Sequence, residues 1–180
     1  MKTHARAYPI AFHWPDKPFH IVLVEPEIPP NTGNIARLCA ATGTILHLVE
    51  PLGFRLTNAA LRRAGLDYWK AVELRRHNSW EAYLDQACEG RRHFFSTRGP
   101  RSLFDTRIAP GDALVFGNES RGLPDAILDK HPGDVVGIPM KGNSVRSLNL
   151  ATAAGIVLYE ALRQSSQGGP GGGEVPAVRG

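Results

Sequence analysis

Between residues 20 and 164 the chain alternates short, largely apolar runs with polar loops and stretches of helical apolar spacing, without an internal sequence repeat. Strands with one face in water alternate apolar and polar residues, whereas strands covered on both faces need not. Runs such as Ile21-Val22-Leu23-Val24 and Ala113-Leu114-Val115-Phe116 therefore predict an α/β single domain, a parallel sheet with helices on both faces. Expected strands cover residues 21–25, 44–49, 71–74, 93–96, 113–117 and 135–139. Expected helices cover 32–42, 58–64, 80–88, 124–129 and 147–163. Thr57 and Ser79 are placed to cap the second and third, because their hydroxyls accept orphan backbone N–H bonds.

The ends are different. Residues 1–19, interrupted by Pro9, Pro15 and Pro18, read as an irregular arm, and the Gly/Pro/Ser-rich residues 165–180 as a disordered tail. That leaves residues 20–164 as the folded domain. With 42% hydrophobic residues in 180, the chain can bury one sizeable core. Its formal charge of +4 leans only weakly toward a polyanionic partner. Cys39 and Cys88 form no ligand pattern and read as reduced thiols. The histidines lack metal-ligand spacing, so no metal is expected. With no signal-like apolar stretch and no run long enough to cross a bilayer, the expected location is cytoplasmic, with no membrane partner.

Ligands of open α/β sheets bind outside the carboxyl ends of the strands. Here those ends read Glu25-Pro26-Glu27, Ser96-Thr97-Arg98-Gly99, Gly117-Asn118-Glu119-Ser120-Arg121-Gly122, and the polar loop after Pro139. The unusual polar chemistry falls on one rim. No GxGxxG follows the first strand, and neither a phosphate-binding GxxxxGK[ST] nor a GxSxG nucleophile elbow occurs. The common nucleotide-binding and hydrolase sites are excluded, as is a flavodoxin-like module.

Three segments are more specific: Pro29-Pro30-Asn31-Thr32-Gly33-Asn34-Ile35-Ala36-Arg37, Phe116-Gly117-Asn118-Glu119-Ser120-Arg121-Gly122-Leu123-Pro124, and Ile138-Pro139-Met140 followed by Val145-Arg146-Ser147-Leu148-Asn149-Leu150. In this order they resemble the three motifs of the SPOUT RNA 2′-O-methyltransferases. They are most similar to the small enzymes that methylate the wobble cytidine or uridine of tRNA. The likeness spans about residues 20–164. It implies a C-terminal deep trefoil knot, bound S-adenosylmethionine, a tRNA substrate and a homodimer. A related enzyme acting at another tRNA or ribosomal RNA site, or a silent RNA-binding homologue, are the alternatives.

Carried onto this sequence, the resemblance implies cofactor contacts from Phe95, Thr97, Gly117, Glu119, Ile138, Met140, Ser147, Leu148 and Asn149. Gly117 would let backbone approach a ligand. Glu119 would orient the loop or the cofactor's methionine part, against the alternative of an ion pair with Arg121. Ser147 could simply cap the last helix, inside which Asn149 lies. Arg37, supported by Asn34, is the expected catalytic residue. A guanidinium is a poor base, so it would clamp a phosphate and orient the 2′-hydroxyl, or relay a proton through that phosphate. Arg121, Arg146, Arg98 and Lys141 are the candidate RNA contacts, suited to holding phosphates. Two departures from the family are Asn118, where proline is commoner, and a loop 141–145 about one residue longer. The apolar Leu38, Val157 and Leu158 point to a helix-mediated two-fold interface. The basic and aromatic run 61–69 also matches the wobble enzymes and could meet an anticodon loop.

Overall fold

The computed structural model describes residues 10–55, 71–86, 89–142 and 144–167. Seven strands form one sheet: β1 (His20–Val24), β2 (Ile45–Val49), β3 (Leu74–His77), β4 (Arg92–Phe95), β5 (Arg101–Ser102), β6 (Ala113–Phe116) and β7 (Val135–Gly137). Their order is β3-β2-β1-β6-β4-β7-β5, and every pairing is parallel. The α-helices among the described residues are α1 (Pro29–Thr42), α2 (Trp80–Asp85), α3 (Asp125–Leu128) and α4 (Leu150–Gln167).

Period-two alternation within each strand splits the core into two layers. Ile21, Leu23, Leu46, Leu48, Leu114 and Phe116 pack under α1 and α4, which bury Ile35, Cys39, Val157 and Leu158 against them. On the other face Val22, Val24, Val115 and Phe94 meet Tyr83 of α2 and Ile127 and Leu128 of α3. Both faces are covered, so the strands read as continuous apolar runs. One buried polar row interrupts them: His20 Nδ1 meets His47 Nε2 at 2.9 Å, and His47 Nδ1 meets His77 Nε2 at 3.0 Å. Each ring partners the next across neighbouring strands, which makes their burial tolerable. Burial, chiefly, pushes His47 down to about 3 and lowers His20 and His77 as well.

Four expectations are corrected. The third strand is not residues 71–74 but Leu74–His77, because an edge strand needs only part of its surface inward and tolerates the exposed Arg75 and Arg76. The two-residue β5 carries no detectable pattern of its own. The last helix starts at Leu150 and runs through Gln167, past residue 165, where the tail was expected to begin. Val157 and Leu158 are wholly buried within the chain, and Leu38 is half-buried, so the first two cannot form an intersubunit face. On α4 the large apolar side chains left exposed are Ile156 and Tyr159. Ser79 does cap α2, accepting from Ala82 N at 3.1 Å. Thr57, the expected helix 58–64 and the run 61–69 lie outside the described residues, as does Cys88.

β7 lies between β4 and β5, so the link 96–100 must step across the carboxyl end of β7. The crossing is tight: a Cβ on Gly99 would come within 2.3 Å of the Val136 carbonyl carbon and 2.4 Å of Gly137 N. Only glycine fits there.

Candidate functional site

A cleft of about 520 Å³ opens at the carboxyl ends of β4, β6 and β7, a volume suited to a small-molecule ligand. Phe95 and Phe116 end β4 and β6 side by side, stacked with ring centroids 5.0 Å apart, and give the cleft an apolar floor. Its walls are the link 96–98, the loop 117–123, and the segment Ile138 to Leu148 that leads from β7 toward α4. Met140, Arg146, Ser147 and Leu148 form no hydrogen bond to another described residue, so their backbone N–H and C=O groups are available at the cleft. An apolar floor beneath free backbone donors and acceptors suits a nucleoside: ring faces meet the floor and ring edges meet the backbone.

The loop 117–122 doubles back on itself. Asn118 and Gly122 exchange backbone hydrogen bonds of 3.2 and 2.9 Å. Gly117 is dictated by this return, since a Cβ there would sit 1.9 Å from the Gly122 carbonyl carbon. That self-approach, rather than approach to a ligand, is what excludes a side chain. Asn118, which stands where proline is commoner in the family, tightens the turn: its buried Oδ1 accepts from Arg121 N at 2.7 Å.

Glu119 does not pair with Arg121, which lies 3.7 Å from Glu25 instead. Its carboxylate reaches the start of α1, accepting from Glu27 N (2.8 Å), Ile28 N (3.2 Å) and Asn31 Nδ2 (2.9 Å). The need is evident in the sequence of α1. Pro29 and Pro30 open it, and Ile28 at the N-cap offers no side-chain acceptor. A carboxylate supplied from β6's loop satisfies two orphan N–H groups and complements the positive end of the helix. Glu27 returns the contact, accepting from Ser120 N and Oγ. Glu25 makes the required bend in the left-handed region, φ 53°, a conformation uncommon for a non-glycine residue.

Asn31 passes the chain on. Its Oδ1 accepts from Asn149 Nδ2 at 2.9 Å, while Asn149 Oδ1 accepts from Ala151 N (2.9 Å) and Thr152 N (3.3 Å). Asn149 is thus the cap of α4 rather than a residue inside it, and Ser147 makes no capping bond among the described residues. The three motifs meet in one hydrogen-bonded row, Glu119–Asn31–Asn149, between the starts of α1 and α4. Asn31 and Glu27 were not singled out in the sequence; the two prolines and the apolar N-cap of α1 were the available signal.

Of the expected cofactor residues, Phe95, Thr97, Gly117, Glu119, Ile138, Met140, Ser147 and Leu148 all line the cleft, while Asn149 stands behind it in the row just described. Arg98, Arg121 and Arg146 stand at the cleft, Arg98 paired with Asp125; Lys141 is exposed and outside the lining. Arg37 and Asn34 lie on the exposed side of α1 and do not line the cleft. Cys39 is buried, its thiol pushed up to about 12, and takes no part. Among the described residues no His, Cys, Asp or Glu group is arranged to hold a metal, and no helix is long and apolar enough to cross a membrane.

The sequence pattern of the SpoU rRNA Methylase family matches residues 18–159. A tRNA (cytidine(34)-2′-O)-methyltransferase of Acidovorax sp. (strain JS42) is 53% identical over 151 residues, covering 82% of this chain and 93% of the relative. A solved structure concerned with the 2-OH methylation of C/U34 on tRNA superposes with a TM-score of 0.77 at 51% identity, covering 82% of this chain and 96% of that one. The SpoU methyltransferase AviRb from Streptomyces viridochromogenes, in complex with AdoMet, gives a TM-score of 0.67 at 26% identity over 87% of this chain and 59% of that one.

Proposed function

The chain belongs to the SpoU rRNA Methylase family, and from that premise we propose that it is a tRNA ribose 2′-O-methyltransferase acting on the wobble cytidine or uridine with S-adenosylmethionine as methyl donor. The observation that carries this reading is the convergence of the second and third motifs on one nucleoside-sized cleft, with the first motif bonded to it through Glu119. Relatives named for position 34 of tRNA, and a solved structure concerned with methylation there, match over 82% of this chain and more than nine-tenths of their own length.

In this reading Phe95 and Phe116 support the adenosine, and the backbone at Ile138, Met140, Ser147 and Leu148 holds its edges. S-adenosylmethionine, when bound, supplies a methyl group on a positively charged sulfur. The protein's task is to set the 2′-oxygen in line with that group and to help its proton leave. Arg37, with Asn34, does this by holding the phosphate beside the target ribose, from the outer side of a helix whose start is fixed to the cleft by Glu119. Arg98, Arg121, Arg146 and Lys141 take further phosphates. The catalytic domain runs from residue 20 through the end of α4 at Gln167. The segment after Gly137 passes through the loop that spans β7, making a trefoil knot, a reading supported by the Gly99–Gly137 crossing. The enzyme is a cytoplasmic homodimer joined through α1 and α4, where Ile156 and Tyr159 remain exposed.

The test is direct. The purified chain, incubated with S-adenosylmethionine and unmodified tRNA, should yield 2′-O-methylated nucleotide 34 by nuclease digestion and mass spectrometry. Methylation at another position would replace the substrate assignment, and cofactor binding without methylation of any RNA would favour the silent homologue.

A further inference from the structure

Beyond the cleft, the chain from Arg98 runs down the open edge of the sheet through β5, the last strand in the order. Along it Leu103, Thr106 and Ile108 are buried, while Arg101, Phe104 and Arg107 turn to solvent. Phe104 is 66% exposed, more than any other described aromatic side chain, and packs on no other described ring. A single exposed phenylalanine is ordinary on a protein surface; what sets this one apart is the pair of guanidinium groups beside it. The charges beside it also lack counterparts. Arg98 and Arg121 meet Asp125 and Glu25. Arg101 donates only to the neutral Gly133 carbonyl, at 2.7 Å. Arg107 has no carboxylate partner among the described residues, and Asp105, the one acidic residue in the stretch, pairs with neither.

We propose that this edge, Arg101 to Arg107, is a docking strip for the RNA strand that adjoins the target nucleotide. One unstacked base lies on the Phe104 ring, and the phosphates on either side are held by Arg101 and Arg107. An aromatic face flanked by guanidinium groups without counterions fits a single-stranded polyanion: every base has a π-face, and every phosphate a charge. Reach agrees. Phe104 is six chain steps from Arg98, at the cleft, so the two lie at most roughly 20 Å apart, a few nucleotides of extended strand. This inference rests on the reading of the substrate as tRNA.

The experiment uses the full chain, a fluorescently labelled RNA hairpin carrying the wobble nucleotide in its loop, and S-adenosylmethionine titrated separately. Phe104→Ala should weaken hairpin binding by about ten-fold, within the range for loss of one stacked base, and Phe104→Tyr should restore it. Arg101→Gln with Arg107→Gln should flatten the log–log salt dependence by about 1.4, two single-strand phosphate contacts. Cofactor affinity should not change in any of these variants. Unaltered RNA affinity and salt slope in both variants, with wild-type binding intact, would overturn the strip while leaving the enzyme reading untouched. A wild-type chain that binds cofactor and no RNA would overturn both. If Phe104→Ala instead abolishes self-association in sedimentation while RNA affinity holds, the edge is an interface between copies and the inference is wrong.

Discussion

Replacing Glu119 by glutamine changes one oxygen to NH2 at constant shape, and the structure makes that change costly. Both ends of the row are fixed by backbone donors. At one end Glu27 N and Ile28 N must give hydrogen bonds, and at the other Ala151 N and Thr152 N must do so. Asn149 must therefore point its oxygen toward α4 and its NH2 toward Asn31, and Asn31 must point its own NH2 toward residue 119. Only a group that accepts everywhere closes the row, and among side chains that is a carboxylate. In Glu119→Gln the new NH2 faces Glu27 N–H in one orientation, or Ile28 N–H and Asn31 NH2 in the other. Flipping Asn31 and Asn149 to accommodate it moves the clash to the cap of α4. One charge-assisted hydrogen bond is lost and one donor opposes another, about 2 kcal/mol for partly exposed groups. For a domain of this size that lowers Tm by about 4–8 °C. Urea unfolding and calorimetry measure both quantities. The double variant Glu119→Gln with Asn31→Asp restores an acceptor next to residue 119, so its loss should be smaller than the sum of the single losses by about 1 kcal/mol or more. A Glu119→Gln protein within about 0.5 kcal/mol of wild type, or strict additivity in the pair, would show that the row does not hold the two helices as described.

Other outcomes follow from single features. Arg37→Ala should leave S-adenosylmethionine affinity nearly unchanged, because Arg37 does not line the cleft, while single-turnover methylation falls by roughly two orders of magnitude; a wild-type rate would move the catalytic role elsewhere. Arg37→Lys keeps the charge without the planar fork, so activity near the Ala variant would assign the role to geometry. Gly117→Ala should yield little folded protein or lose several kcal/mol, because the added carbon would have to occupy backbone of Gly122 and Leu123; unfolding curves decide. His47 is held down at about 3, against 6.5 when unfolded. Its burial as a neutral ring therefore supports the fold above pH 6.5, and this support is lost as pH falls toward 3. Between pH 7.5 and 5 that is about 2 kcal/mol, with His20 and His77 shifting in the same direction. The pH slope of urea stability in His47→Leu should be shallower than wild type by a similar amount, and parallel slopes would exclude the assignment.

What could be read from sequence follows from the range of the interactions involved. Strands covered on both faces announce themselves, and β1, β2, β4, β6 and β7 fall within two residues of the apolar runs. β3 escaped because its edge position leaves Arg75 and Arg76 in water, and β5 because two residues carry no period. The cleft residues were legible as strand ends, since a parallel sheet gathers its carboxyl ends on one rim. Glu119's partners were not: Glu27 and Asn31 are 92 and 88 positions away, and nothing local distinguishes a carboxylate that caps a distant helix from one that pairs with Arg121 two residues on. Asn149 was misplaced for a similar reason. Leu148-Asn149-Leu150 continues the apolar pattern of α4, so the helix start is fixed by Asn149's bonds to Ala151 and Asn31 rather than by pattern.

The insertion of β7 between β4 and β5 has a consequence for the order of events during synthesis. The slot that β7 fills is bounded by a strand made some forty residues earlier and by the link 96–100 that already spans it. Nascent chain lacking residues beyond 134 can pair β1, β2, β4 and β6, yet it has no cleft, because one wall and the cap of α4 have not been made. Pairing across such sequence separations is slow relative to local structure. Ligand affinity is therefore acquired late and all at once, and a bound ligand stabilises only molecules in which that final insertion is complete. Under the proposed function, the methyl donor would then act as a selective stabiliser of finished chains, and truncated ones would gain no protection from it.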